Sequence, residues 1–432
     1  MIRRPPRSTL FPYTTLFRSE LNELRKKFKY VDAQANGKKR VFFDNAGGSL
    51  RLIDAEKRFH AIDLHPDASE HLNTLALELL DIENKGREDI RTLFNAKHGA
   101  IATGYTASQL MMEAVRIVSE NVKGTNVVTT CLEHPSSFDA MSMYAEKYGR
   151  ELRVAQANPL TGGIDTEEVV SLIDKDTAIV SVMAASNISG HIMDIAAIAK
   201  QAKAINPDII VISDAVQHAP HGAIDPENDG IDVMNFAPYK FFGIRGFALM
   251  YISDRVKDWP HHRLLGSPSD NWEIGSPGTA NFAAMSAIVD YVCGLGTKVA
   301  AQAVDRRQLF EAGMKRIADH ERALLELMLE GTETAPGLRH IQGINVKMDD
   351  PDLNKRDLII GIEFANMDAV KAREELEKRG VVAFERMGNS IYSARMLEQF
   401  NSPGVVRMSP LHVNTPEEIT FFLNVCAEVA AL

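Results

Sequence analysis

The chain has 432 residues, of which 45% are hydrophobic and 25% charged, a composition that excludes disordered and fibrous proteins. This length is sufficient for one large domain and a smaller one. The formal net charge of −10 argues against a nucleic-acid partner, which selects a basic surface. No apolar run approaches the roughly 18 residues of a membrane span, so we expect no membrane association.

Cysteine and histidine spacing bears on compartment and metal binding. The chain has three cysteines, Cys131, Cys293 and Cys426. Their lack of paired spacing predicts a cytoplasmic protein with neither a disulfide framework nor a zinc site. Two histidine pairs, His218 with His221 and His261 with His262, lack a convincing third ligand, so we expect no metal.

Residues 1–19 differ from the rest of the chain, since they carry four arginines and three prolines but no acid. A transit peptide can have such a composition. However, Pro5, Pro6 and Pro12 would break the amphipathic helix that a transit peptide needs. The stretch also resembles the translation of a sequencing adaptor. We therefore expect residues 1–19 to be a non-native or disordered tail.

Periodicity then predicts the elements in chain order. An amphipathic helix from residue 20 leads into an extended run at 40–44, and helical patterns follow at 72–94 and 107–119. Beyond these, apolar runs of strand length alternate with helices. The predicted strands are 126–130, 178–183, 209–213, 233–236 and 247–252, and the helices between them are 137–148, 166–173 and 195–205. This alternation predicts an α/β fold with a mostly parallel sheet covered on both faces.

The final third has a different order of elements. The predicted elements are a long charged helix at 304–329, strands at 358–364, 381–384 and 405–409, a helix at 369–379 and a terminal helix to about residue 430. Thr415 and Glu418 form the capping box that begins this last helix. We therefore predict a large domain over residues 20–300 and a small C-terminal α+β domain over 301–432.

Two strand ends carry residues suited to one chemistry. Asp214 follows an apolar strand directly, at the sheet edge where α/β folds bind ligands, although a lone aspartate there usually caps a helix. Lys240 follows the next strand among aromatic residues. An amine with a lowered pKa suits imine formation, and a carboxylate keeps a pyridinium protonated. The pair therefore predicts pyridoxal 5′-phosphate (PLP), which acts as an electron sink.

The segments Asp214-Ala-Val-Gln217 and Tyr239-Lys-Phe-Phe-Gly243 resemble the class V aminotransferase family. This is the cysteine-desulfurase-like branch of fold-type I PLP enzymes, and the resemblance covers residues 42–432. It implies that Lys240 forms the Schiff base, that Asp214 binds the pyridine nitrogen and that Gln217 donates to the phenolic oxygen. It also implies a small amino-acid substrate and a homodimer with shared active sites.

The resemblance implies further site residues. His134 would stack on the cofactor as a catalytic residue, with a satisfied loop histidine as the alternative. The residues expected at the phosphate are Thr106, Ser108, His218, Tyr239 and, from the other subunit, Thr279. Those expected at the substrate are Asn45, Asn187 and Arg407, the last for the α-carboxylate. Helix capping by Thr106 and a surface ion pair of Arg407 are the alternatives.

A desulfurase carries a nucleophilic cysteine on a late loop, but residues 385–397 contain none. We therefore predict transamination or chemistry at Cβ (elimination, β-decarboxylation or carbon–carbon bond formation) without persulfide chemistry. Two alternatives stay open: a cysteine desulfurase or selenocysteine lyase-like C–S lyase, and a non-catalytic scaffold or regulator. Arg245, Arg386 and Arg395 either hold a second carboxylate or are ordinary solvated or structural cations.

Overall fold

The structure, a computed structural model, describes residues 20–432, so the predicted tail at 1–19 lies outside the described residues. The helices are α1 (Leu21–Arg25), α2 (Ile53–Asp63), α3 (Thr74–Phe94), α4 (Ala107–Asn121), α5 (Pro135–Lys147), α6 (Thr166–Ser171), α7 (Ile195–Ile205), α8 (Thr279–Gly296), α9 (Arg306–Glu330), α10 (Ala369–Lys378), α11 (Ala394–Glu398) and α12 (Pro416–Ala430). The strands are β1 (Val41–Phe42), β2 (Ala100–Gly104), β3 (Asn126–Thr130), β4 (Glu151–Ala155), β5 (Thr177–Ser181), β6 (Ile210–Asp214), β7 (Val233–Phe236), β8 (Ala248–Ile252), β9 (Ile344–Lys347), β10 (Ile360–Phe364), β11 (Val381–Val382), β12 (Phe384–Met387) and β13 (Gly404–Met408). Among residues 20–432, no helix combines the length and apolar character needed to cross a membrane.

The main sheet has seven strands in the order β2-β8-β7-β6-β5-β3-β4. Strands β3 to β7 run parallel, and β8 is antiparallel to both of its neighbours. Successive residues of a strand point to opposite faces. Accordingly, Val127 packs in a core with residues of α4 and α5, whereas Val128 packs in a core with residues of α7 and α8. The predicted α/β fold with helices on both faces is confirmed.

A four-stranded antiparallel sheet, in the order β12-β13-β10-β9, forms a second layer with α9, α10 and α12. The prediction of a single strand over 381–384 is wrong. Val381 and Val382 pair in parallel with β1, whereas Phe384 pairs with Arg407 of β13, so the chain changes sheets at Ala383. The boundary between residues 300 and 301 stays a prediction.

The predicted capping box at the start of α12 is confirmed. The Thr415 hydroxyl accepts a hydrogen bond from the Glu418 backbone N–H at 3.1 Å, and a Glu418 carboxylate oxygen accepts one from the Thr415 N–H at 3.0 Å. Backbone N–H groups at the start of a helix have no partner within the helix, and these two side chains supply partners for two of them.

A buried ionic cluster joins the main sheet to the C-terminal third. His221 Nδ1 lies 2.6 Å from Glu321 Oε2 of α9, and Glu321 Oε1 accepts a hydrogen bond from the His412 backbone N–H at 2.9 Å. His412 Nε2 lies 2.7 Å from the hydroxyl of Tyr291. Burial opposes both charges, but their mutual attraction raises the pKa of His221 to about 9 and lowers that of Glu321 to about 2.

We expect E321Q to lower the free energy of unfolding by about 3 kcal/mol at pH 6, because it leaves a buried cation without its partner. Because the pKa of His221 is raised from 6.5 to about 9, the ion pair contributes its full stabilisation of the folded state below about pH 6.5. That contribution is lost as the pH rises through about 9. Chemical denaturation of both proteins between pH 6 and pH 10 measures the difference, which should shrink above pH 9. A difference that stays constant would contradict the assignment.

Candidate active site

Four parallel strands end at the same edge of the main sheet, and each supplies a polar side chain there. His134 follows β3, Asn187 follows β5, Asp214 ends β6 and Lys240 follows β7. Because ligands of α/β sheets bind at the carboxyl ends of the strands, these side chains should surround one site. They line a single cavity of about 240 Å³.

The cavity brings together most of the predicted site residues. Those in its wall are Thr106, Ser108, His134, Asn187, Asp214, Gln217, Tyr239 and Lys240. The rest of the wall is formed by Ala107, Ser136, Met183, Ala185, Val216, Ala237 and Arg245. The Gln217 amide nitrogen also donates to the Ala46 carbonyl at 3.1 Å, which fixes its orientation.

Lys240 ends a single 3-10 turn, Pro238–Lys240, and is partly exposed to the cavity. Phe242, two residues later, has a left-handed backbone with φ of 63°, and its N–H donates to the Ser49 hydroxyl at 2.8 Å. Burial, followed by the charge of Arg407, lowers the pKa of Lys240 to about 7, against the opposing attraction of Asp214. A large fraction of this amine is therefore unprotonated at neutral pH, which an attacking amine requires.

Asp214 is buried, and its Oδ1 accepts a hydrogen bond from the Val216 N–H at 2.9 Å. Burial raises the pKa of this carboxyl, while the Val216 hydrogen bond and the charge of Lys240 oppose the rise. A cationic ring nitrogen at this carboxylate would favour its charged form. The arrangement suits a pyridinium partner.

His134 caps the N-terminus of α5, which begins at Pro135. Its Nδ1 accepts a hydrogen bond from the Ser136 backbone N–H at 3.2 Å and lies 2.7 Å from the Ser136 hydroxyl. Burial, and then the charge of Lys240, lowers the pKa of His134 to about 4. The ring is therefore a neutral aromatic face at physiological pH, as stacking on a cofactor requires.

The N-terminus of α4 supplies a potential anion site. Thr106 caps this helix, since its hydroxyl accepts a hydrogen bond from the Gln109 N–H at 3.1 Å. The capping alternative for Thr106 therefore holds, and its hydroxyl proton stays available to donate. Thr106 and Ser108 both face the cavity, where the first N–H groups of the helix favour a phosphate.

Arg407 lies directly behind Asn187. Its guanidinium donates to the Asn187 carbonyl at 3.0 Å and to Asp44 Oδ1 at 2.8 Å. Arg407 is buried, so it is not the surface ion pair of the alternative interpretation. The side-chain Oδ1 of Asn187 is buried with no hydrogen-bond partner in the described part of the chain. Polar groups left unsatisfied at a cavity wall are suited to binding a polar ligand.

Four predicted residues are not part of the cavity wall, namely Arg407, which lies behind Asn187, and His218, Asn45 and Thr279. His218 Nδ1 pairs with Asp357 at 3.0 Å, and the Asn45 amide donates to the Ser409 carbonyl at 2.9 Å. Thr279 is the first residue of α8. The roles of these four residues, like those of the predicted residues in the cavity wall, stay predictions.

Two carboxylates of the site were not predicted. Asp44 supplies the counter-ion of Arg407. Glu133 is fully buried, and its Oε1 accepts hydrogen bonds from the Thr130 hydroxyl at 3.0 Å and from the Met183 N–H at 2.7 Å. Burial, with a contribution from the charge of Asp214, raises the pKa of Glu133 to about 7. The only sequence signal for Glu133 was its place beside His134.

We expect E133Q to be more stable than the natural protein at pH 8 by roughly 2 to 3 kcal/mol, since the buried carboxylate is replaced by a neutral isostere. The raised pKa makes the natural protein lose stability as the pH rises from about 4.5 through 7. Thermal unfolding from pH 5 to pH 8 tests this. E133Q should lack this pH dependence. An equal loss of stability with rising pH in both proteins would contradict the raised pKa of Glu133.

The family model for aminotransferase class-V matches residues 41–422. The chain belongs to the class V aminotransferase family. Members of this family are PLP-dependent enzymes, which confirms the predicted family and the general class of enzyme. The matched range includes every strand end that lines the cavity.

Class V relatives extend over most of the chain. A probable cysteine desulfurase from Borreliella burgdorferi is 24% identical, over 93% of this chain and 94% of the relative. A cysteine desulfurase from Dickeya dadantii is 25% identical, over 75% of this chain and 80% of the relative. An apo cysteine desulfurase structure from Thermococcus onnurineus has a TM-score of 0.80 at 20% identity and covers 95% of this chain and 98% of its own. At such identity the solved structure shows the fold alone.

The prediction of transamination or Cβ chemistry without a desulfurase cysteine is wrong. The two curated relatives described above are a probable cysteine desulfurase and a cysteine desulfurase, which supports the alternative of a C–S lyase. The error has a physical reason. The absence of a cysteine from the single segment 385–397 does not determine which bond of a substrate breaks, because that depends on the groups lining the cavity.

Proposed function

We propose that this protein is a PLP-dependent C–S lyase of the cysteine desulfurase type, which removes the sulfur of a small amino acid such as cysteine and leaves alanine. One observation carries the proposal. Lys240, Asp214 and His134 meet in one cavity, in a chain that is similar over most of its length to proteins described as cysteine desulfurases.

The residues of the cavity fit PLP. A buried carboxyl, an amine with a pKa of about 7 and a neutral aromatic ring line the same space, beside a helix N-terminus suited to a phosphate. Asp214 would hold the ring nitrogen and Lys240 would carry the cofactor. Thr106 and Ser108 would hold the phosphate. When bound, PLP supplies the electron sink for a carbanion at the substrate Cα.

The side chains of this chain then act on the substrate. Arg407 would bind the α-carboxylate, with Asn187 beside it, and Asp44 keeps the guanidinium oriented at 2.8 Å. Lys240 can take up or release a proton at Cα near neutral pH, because its pKa is about 7. Sulfur transfer from cysteine to a thiol forms alanine and a persulfide, so the reaction also needs a thiol acceptor.

Cys131 is a thiol of this chain that lies close to the segment 385–397, since Arg395 donates a hydrogen bond to its carbonyl. It is buried, and burial raises its pKa to about 11. A thiol with so high a pKa is a poor nucleophile at neutral pH. An acceptor thiol in the medium is therefore included in the test of function.

The proposal includes a homodimer in which Thr279 of the partner subunit completes the phosphate site. The segment before α8 exposes large apolar side chains, Leu264, Leu265 and Ile274, which a second subunit could cover.

The PLP-loaded protein is expected to form alanine from cysteine, at a rate that an added thiol increases. K240A should lose this activity by at least about 1,000-fold, since it removes the amine that carries both cofactor and proton. Amino-acid analysis of the products measures alanine directly. C131S is assayed in parallel, and alanine formation that depends on this residue would identify Cys131 as the acceptor. A PLP-loaded protein that forms no alanine from cysteine or selenocysteine would refute the proposal.

Shared active sites predict complementation. K240A and T279A are each expected to be weak or inactive as homodimers. A mixed dimer contains one site with both natural residues, so unfolding and refolding the two variants together should restore part of the activity. Alanine formation before and after mixing is the measurement. No recovery, with heterodimers verified by native mass spectrometry, would show that Thr279 does not serve the partner's site.

A further inference from the structure

Arg386 is a buried cation beside the active site. It lies on β12, opposite Val405, and Arg407 lies two residues further along β13, so both guanidinium groups belong to the same face of the small sheet. Arg386 is 8% exposed. Its Nη2 donates to the carbonyl of Tyr392 at 2.7 Å, and the ring of Tyr392 lies 6.1 Å from that of His134 in the cavity wall.

This cation makes no direct ion pair among residues 20–432. Arg407 has Asp44 at 2.8 Å, whereas no carboxylate lies within 4 Å of Arg386, and its Nε is buried with no hydrogen-bond partner in the described chain. Burial, and then the charge of Arg407, lowers the pKa of Arg386 to about 9, although the charge of Asp44 opposes the shift without direct contact. A buried cation without a directly paired carboxylate is destabilising, and an anionic ligand in contact with it would reduce that cost.

Arg395 and Arg245, the other two candidates for binding a second carboxylate, already have partners within the protein. Arg395 donates to the carbonyls of Cys131 and Glu133, and its guanidinium lies 3.8 Å from the centre of the Phe138 ring. Arg245 is exposed, and its guanidinium lies over the Tyr239 ring at 4.4 Å. Arg386 differs from both, because it is buried and its hydrogen-bonding capacity is incompletely used.

We infer that Arg386 forms a second anion-binding position in this site, for an oxyanion on the side chain of the substrate. The inference rests on the proposed function, which makes the site one for amino acids. Arg407 would bind the α-carboxylate, and Arg386, on the same face of the sheet, would bind the acidic group at the far end of a short side chain. Between amino acids of the same shape, the one with a second anionic group should bind more tightly.

Calorimetric titration of the PLP-loaded protein with L-aspartate and L-asparagine tests this, because the two amino acids have the same shape and differ in charge. The natural protein is expected to bind aspartate at least about tenfold more tightly, as hydrogen bonds to charged groups allow. In R386M the preference should fall to within about twofold, with little change for asparagine. R386K retains the charge and should keep part of the preference.

R373M is the matched control, since Arg373 on α10 pairs with Glu377 and Glu385 at the surface. It should bind both amino acids as the natural protein does. Equal affinities in the natural protein, or a preference that survives in R386M, would overturn the inference, as would failure of both amino acids to bind. Alanine formation from cysteine in the same preparation would show that the proposed function stands even then.

Discussion

The structure of the site depends on how positive charge is balanced around the Lys240 amine. Lys240, Arg386 and Arg407 are close enough for each arginine to lower the pKa of the lysine, and the carboxylates that oppose them are Asp214 and Asp44. Burial makes every one of these interactions stronger than it would be in water. The Lys240 amine, which would be fully protonated at neutral pH on the protein surface, therefore has a pKa of about 7.

That balance requires two layers of the fold to pack together. The parallel sheet brings Lys240 and Asp214 to the cavity because β6 and β7 are neighbours and end at the same edge. The small sheet brings Arg386 and Arg407 because β12 and β13 pair. The cluster of His221, Glu321 and His412 joins these layers away from the cavity, so it contributes to the spacing of the site without containing any of its chemistry.

Local sequence patterns predicted the strands and site residues whose positions depend on neighbouring residues in the chain. The strands β3, β5, β6 and β7 are buried along their whole length, have apolar residues at their centres and were found. The edge strand β4 was missed, because Glu151 and Arg153 interrupt its apolar pattern where the sheet meets solvent. Lys240 and Asp214 lie within recognisable segments. Asp44 could not be found, because its role arises from a contact with a residue 363 positions away, and the adjacent Asn45 was favoured instead. The wrong prediction of function had a similar origin. It was based on the residues of one local segment, 385–397, and not on the side chains that the fold brings together around the cavity.

The Asp44–Arg407 pair also orders events during synthesis. Asp44 is held near its partner by β1, which pairs with β11, a strand made more than three hundred residues later. A nascent chain can form the parallel sheet, with Lys240 and Asp214 in place, before either arginine has left the ribosome. The Asp44–Arg407 pair can therefore form only after residue 407 has been synthesised, whereas Asp214 and Lys240 are available to fold much earlier.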